Sequence, residues 1–149
     1  MTAAESGLTL DVDLAPSSAD IGAVDGALDA FNISRMALGG EPPHIAVFLR
    51  DARGDILGGC VGRKIGTDFH VGVVHVAEQL RGQGHGAALL ARIEQQARRL
   101  GCTRITLDTF DFQAPEFYRK QGYGEIGRID DMLIGHGRTW FRKSLTEAA

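Results

Sequence analysis

The six residues Arg81-Gly82-Gln83-Gly84-His85-Gly86 are the stretch of this chain best suited to hold an anion. The arginine brings a fixed positive charge on a planar fork of donors. The glycines leave out Cβ atoms, so an anion can come close to the backbone. Before the loop, Val71-Gly72-Val73-Val74-His75-Val76 is rich in β-branched residues and predicts a strand. After it, Leu89, Ile93, Ala97 and Leu100 recur at helical spacing and line one face of a long helix. A helix N-terminus offers unpaired N–H groups and the positive end of the helix dipole. The expected guest is a phosphate or a diphosphate. No Gly-Lys-Ser/Thr follows, so this is not a P-loop, and the glycine spacing does not match a dinucleotide-binding turn.

The pattern Arg81-x-x-Gly84-x-Gly86, between a Val-x-Val strand and a helix, resembles the acyl-CoA motif of the GNAT (GCN5-related N-acetyltransferase) family. A second stretch strengthens the resemblance. Gln113-Ala114-Pro115-Glu116-Phe117-Tyr118 followed by Gly122-Tyr123 looks like the family's closing motif, with Gln113 where the family carries a residue such as Asn. The final strand, with His136, Arg138 and Phe141, is similar to that of a bacterial subgroup of small single-domain members. The resemblance covers nearly the whole chain and is weakest over residues 15–43.

The resemblance implies an α/β (α+β) fold: a mixed sheet of six to seven strands, about four helices, and a parallel strand pair that splays. It implies acetyl-CoA as co-substrate, no metal, and an amine acceptor, either a small molecule or a protein amine. Residues 81–87 (Arg81, Gly82, Gln83, Gly84, His85, Gly86, Ala87) would hold the diphosphate. The backbone of Val74, His75 and Val76 would line the pantetheine arm, with the Val76 N–H donating to the thioester oxygen. Gln113 and Phe117 would lie beside the cofactor, although Phe117, with Ala114 and Gln121, also has core spacing. A homodimer is compatible with the family, and the segments before residue 44 would cover the acceptor.

Tyr118 falls on the motif's own tyrosine. Acetyl transfer to an amine releases a thiolate, and a thiol of ordinary pKa near 8.5 is stabilised or protonated by a phenol held at the sulfur. An amine of lysine-like pKa is neutral in only about one molecule per two thousand at pH 7, so a proton acceptor is needed. Asp68, His70, His75 and Asp111 are the candidates, and His70 is preferred. It precedes Val74 by four residues, where some members of the family carry a glutamate. By the period of two, it shares a face with Val74 and Val76, whereas His75 points the other way.

The remaining elements must position these groups. Leu8–Leu14 alternates like a half-buried strand, Ala19–Phe31 reads as a helix capped by Ser17 or Ser18, and Phe31–Met36 either ends that helix or starts a second. Residues 39–43 form a loop. His44–Arg50 and Asp55–Gly66 are strands joined at Asp51-Ala52-Arg53-Gly54, with Gly58-Gly59 marking a bulge or close packing. Thr103–Phe110 is the next strand, parallel to 71–76 because a helix crosses between them. Pro115 opens a short helix that Gly122 stops, and Tyr123–Ile129 and Thr139–Leu145 are the last strands.

The chain has 149 residues, 44% of them hydrophobic and 23% charged, which fits one soluble domain spanning 1–149 with a real core. A net charge of −3 argues against a nucleic-acid binder that relies on bulk charge. No run is long and apolar enough for a membrane span, and the first ten residues lack the features of a signal peptide. Cys60 and Cys102 read as reduced structural thiols in a cytoplasmic protein. Two other readings stay open: a non-catalytic acyl-CoA sensor of the same fold, and an unrelated phosphate-binding nucleotide domain.

Overall fold

The computed structural model describes residues 7–36 and 42–146. The chain divides into two compact units, Met1–Glu41 and Pro42–Ala149. In the first, helix α1 spans Ser18–Met36. Ser17 caps it, its Oγ accepting the Asp20 N–H at 3.0 Å. Of the two expectations for residues 31–36, the helix takes the first and runs on through them, and Ile21, Val24, Leu28 and Phe31 stay about half exposed or more. The strand expected over Leu8–Leu14 does not form. No ladder satisfies that backbone, and a lone extended segment is not stable in water. An Asx turn, Asp13 Oδ1 to the Ala15 N–H at 2.9 Å, bends its end. The expected loop over 39–43 lies mostly outside the described residues.

The second unit holds strands β1 (His44–Arg50), β2 (Ile56–Ile65), β3 (Asp68–Val76), helix α2 (His85–Arg99), β4 (Arg104–Phe110), helix α3 (Pro115–Lys120), β5 (Gly124–Leu133) and β6 (His136–Ser144). A short 3₁₀ turn at Glu78–Leu80 precedes α2. The sheet order is β1-β2-β3-β4-β6-β5, and only β3 and β4 are parallel. The described residues thus carry six strands and three α-helices, the low end of the expected strand count and one helix fewer. None of these helices is long and apolar enough to cross a membrane.

Helices α2 and α3 pack on one face of the sheet. Leu90, Ile93, Phe69, Ile105 and Phe141 are fully buried there. Removing the Ile93 side chain beyond Cβ would cost about 2–5 kcal/mol. Gly101, at φ 81°, ends α2 in a Schellman motif: Cys102 N–H reaches Ala97 O at 3.0 Å and Gly101 N–H reaches Arg98 O at 3.0 Å. Leu100, expected on the buried stripe, is 38% exposed because it is the cap residue. Among the described residues, the opposite sheet face carries no helix of this unit.

One irregularity controls the site. In the β2–β3 ladder, Gly62 faces Val71 but Val61 faces Val73, so Gly72 is an extra, bulged residue. Directly opposed residues share a face, so the bulge reverses the parity of β3. Phe69 and Val71 point to the helices before it, and Val74 and Val76, opposite Cys60 and Gly58, do so after it.

Candidate active site

The parallel β3–β4 ladder has three rungs only: Asp68 with Arg104, Phe69 with Ile105, and His70 with Thr106. Beyond them β3 runs on to Val76 bonded to β2 alone, and β4 runs on to Phe110 bonded to β6 alone. The two strands diverge just ahead of the bulge, which adds bend and twist to β3. A wedge-shaped gap opens, one wall of which is an unpaired strand edge.

The edge presents Val76. Ala77 N–H donates to Leu57 O of β2 at 2.8 Å, so strand alternation turns the Val76 N–H and C=O away from β2 and into the gap. The Val76 carbonyl accepts the Arg81 Nε–H at 3.0 Å. This anchors the guanidinium between the end of β3 and the start of α2. His75, by contrast, turns its carbonyl toward Gly58 of β2.

Helix α2 is preceded by the cap residue Gly84, whose φ of 86° and ψ of 3° place it in the left-handed region. No side chain caps it, and no acidic residue stands in its first turn. The N–H groups there therefore remain available to an anion, in the field of the helix dipole. Cβ atoms built on Gly82 and Gly84 would meet nothing within 4 Å, so open space lies over the loop. Gly86 has a different reason to be glycine: a Cβ there would lie 3.3 Å from Phe117 Cζ. It lets α2 and α3 touch. These features fit a diphosphate. Gln83 bonds back to Gln79 O at 3.3 Å, and His85 lines a groove of about 570 Å³ between α2 and β1, away from the gap.

Tyr118 is set by local chain geometry. Pro115 starts α3, and Gly122 at φ 89° ends it in a second Schellman motif, with Tyr123 N–H on Tyr118 O at 3.0 Å. The Tyr118 ring then packs edge-on against Phe117 and Tyr123 and tilted against Phe141. Only 7% of the residue is exposed. Burial, with smaller contributions from Cys60 and Asp108, pushes its phenol up to about 12. It is a neutral donor at any physiological pH. Phe117 packs against the core, as its spacing indicated. Gln113 Oε1 accepts the Phe110 N–H at 2.7 Å and the Thr109 hydroxyl at 3.2 Å, so its carbonyl closes the β4–α3 turn.

His70 sits on the last parallel rung, where the gap begins. The expected common face with Val74 and Val76 is wrong. The bulge at Gly72 puts His70 on the face away from the helices, with Val73 and His75. Its Nδ1 lies 3.3 Å from Thr106 Oγ1, and that hydroxyl donates to Asp68 Oδ2 at 2.8 Å. The four candidate proton acceptors thus differ sharply. Asp111 is held by two bonds from Arg128, at 2.7 and 2.9 Å, and by the Gly137 N–H at 2.8 Å. Those hydrogen bonds keep its carboxyl far below the usual carboxylate range, so it is a poor base.

Several groups here left no clear trace in the sequence. Glu94, 5% exposed on α2, pairs with Lys143 Nζ at 2.5 Å. One carboxylate inside the buried stripe Leu90, Ile93, Ala97 was its only signal. Arg138 lies between the Phe110 and Trp140 rings, 5.3 and 4.8 Å from their centroids, and pairs with Asp108 at 2.6 Å.

This geometry has known counterparts. Residues 22–123 match the model of the acetyltransferase (GNAT) family. The chain is 30% identical over 121 residues to "Acetyltransferase Atu2258" of Agrobacterium fabrum, covering 81% of this chain and 88% of that one. It is 39% identical over 91 residues to a blasticidin-S acetyltransferase of Streptomyces morookaense, covering 60% and 67%. The crystal structure of an acetyltransferase from Bacillus cereus superposes with a TM-score of 0.77 at 30% identity, covering 90% of this chain and 97% of that one. Diverging parallel strands, an uncapped glycine-led helix and a family match over most of its length agree: the chain belongs to the GNAT acetyltransferase family, and is an acetyl-CoA-dependent acyltransferase.

Proposed function

We propose that the protein transfers the acetyl group of acetyl-CoA to a primary amine by direct attack in a ternary complex. The observation that carries this reading is the three-rung β3–β4 ladder, which leaves the Val76 N–H facing an open gap beside the bare N-terminus of α2. Acetyl-CoA supplies an activated acyl carbon and a good leaving group. The N–H groups at the start of α2, with Arg81, hold its diphosphate. The Val76 N–H donates to the carbonyl oxygen, where negative charge grows during attack. His70 takes a proton from the bound ammonium, which frees the lone pair that attacks; the nitrogen then gives up a second proton, and the departing thiolate, stabilised by a hydrogen bond from Tyr118, ends as the free thiol. The N–C bond forms as the C–S bond breaks.

The acceptor is an amine, either of a small molecule or of a protein. The relative named as a blasticidin-S acetyltransferase gives reason to include blasticidin S among those tried. The test is thiol release from acetyl-CoA with a panel of antibiotic, polyamine, amino-acid and peptide amines. At least one amine should raise the rate well above hydrolysis. If acetyl-CoA binds and no amine does so, the reading as an acyl-CoA sensor gains.

A further inference from the structure

We propose that Thr106 and Asp68 are positioning residues that fix His70 in the Nδ1–H tautomer, leaving Nε2 as its proton-accepting nitrogen. The catalytic consequence rests on the reading of His70 as the base; the tautomer assignment stands on geometry alone.

The argument is a count of hydrogens. Asp68 Oδ2 is a carboxylate oxygen and can only accept. It lies 2.8 Å from Thr106 Oγ1, so the single hydroxyl hydrogen points to it. Toward His70 Nδ1, at 3.3 Å, Thr106 therefore presents a lone pair. Two lone pairs cannot bond, so Nδ1 carries the hydrogen. A neutral imidazole has one N–H, and Nε2 is left bare. All three side chains lie on one face, since Asp68 and His70 are two residues apart on β3 and Thr106 is the rung partner of His70. The chain His70–Thr106–Asp68 spans the point at which the strands diverge.

Asp68 is held for this task. Its Oδ1 is buried without a hydrogen bond among the described residues, and Arg104 Nε lies 3.4 Å from it. The other charged or titratable groups on this face are Arg63 across from His70 on β2 and His44 beyond it on β1, Arg142 across from Thr106 and Arg138 farther along β6, Asp108 of β4, and His75 of β3. Thr106 insulates His70 from direct contact with the carboxylate while passing on its polarity.

The test is nitrogen-15 NMR of the full-length protein in alkaline solution, where imidazoles are neutral, with His70 assigned by loss of its signals in His70→Gln. Wild type and Thr106→Ser should show His70 protonated on Nδ1. Thr106→Val, close to isosteric, should lose that preference, and Asp68→Asn should weaken it by freeing the hydroxyl hydrogen to turn. In turnover, Thr106→Val should lower kcat about tenfold, the effect of one neutral hydrogen bond. KM for acetyl-CoA should not change, and Thr106→Ser should restore the rate. An Nε2–H tautomer in wild type, or one unchanged by Thr106→Val, overturns the proposal. If His70→Gln keeps full activity while the tautomers behave as stated, the base assignment fails and the geometric claim survives.

Discussion

Replacing Tyr118 by phenylalanine removes one oxygen and leaves the ring in its setting of Phe117, Tyr123 and Phe141. The structure fixes what that oxygen can do. Its phenol is pushed up to about 12. A leaving thiol of pKa near 8.5 is the stronger acid, by a pKa difference of about 3.5, so complete proton transfer from the phenol is uphill by about 5 kcal/mol. Tyr118 must therefore act as a hydrogen-bond donor to developing charge. Such a bond to a charged group contributes about 1.5–3 kcal/mol, and its loss slows kcat roughly 10- to 150-fold. The assay is thiol release with a productive amine, giving kcat and KM, beside a thermal melt. The expected variant keeps its Tm within a few degrees and its KM for acetyl-CoA, and loses kcat in that range. The phenol stays protonated below its raised pKa, so wild type should show no falling limb between pH 7 and 10 that Tyr118→Phe removes. A kcat within threefold of wild type, or such a limb, would refute the reasoning.

Three further outcomes follow from the packing. Gly62→Ala builds a Cβ into the His70 carbonyl oxygen and 2.6 Å from Phe69 Cε1, so β2 and β3 must shift beside the bulge; overpacking of this kind costs about 1–3 kcal/mol, seen as a lower denaturation midpoint. Asp111→Asn should lower Tm at pH 7, where the depressed carboxyl of the wild type is ionised and bonded to Arg128 and Gly137. A depressed pKa means that this stability is present above the unfolded value near 3.9 and is lost as pH falls toward the folded one, so the two melts should converge in strong acid. Burial raises both thiols, Cys60 up to about 12, so neither should react with a disulfide reagent in the native protein, and both should react after unfolding. Rapid native labelling would contradict their placement.

The strands and helices with strong local signals were legible in the order of residues itself. His44–Arg50 is a strand over the expected residues, Gly54 turns the hairpin at φ 89°, and Gly58 is glycine because a Cβ would lie 2.7 Å from the His75 carbonyl oxygen. Pro115 and Gly122 bracket α3, and the helix between 85 and 99 buries Leu89, Ile93 and Ala97 as their spacing demands. The bulge was not legible. Alternation along Phe69–Val76 carries no mark of an extra residue except Gly72, so counting by twos put His70 on the wrong face. Nor does a pattern of types reveal that Leu8–Leu14 lacks a ladder, because pairing is not a local property. Strand β5 extends to Leu133, past the expected end, and all ten of its residues are exposed, which leaves no alternation to detect. The His70–Thr106–Asp68 chain joins residues 36 and 38 positions apart, a distance over which only the fold brings them together.

The central claim is that the diphosphate of acetyl-CoA rests on the start of α2 while its thiol arm lies along the free edge of β3. Backbone amide shifts on titration with acetyl-CoA test it most directly. The account predicts the largest changes at Val76 and at residues 84–87, with little effect on Ile45–Leu49. Changes centred on the groove between β1 and α2, at Val47, Ala88 and Arg92, with the Val76 amide unmoved, would contradict it.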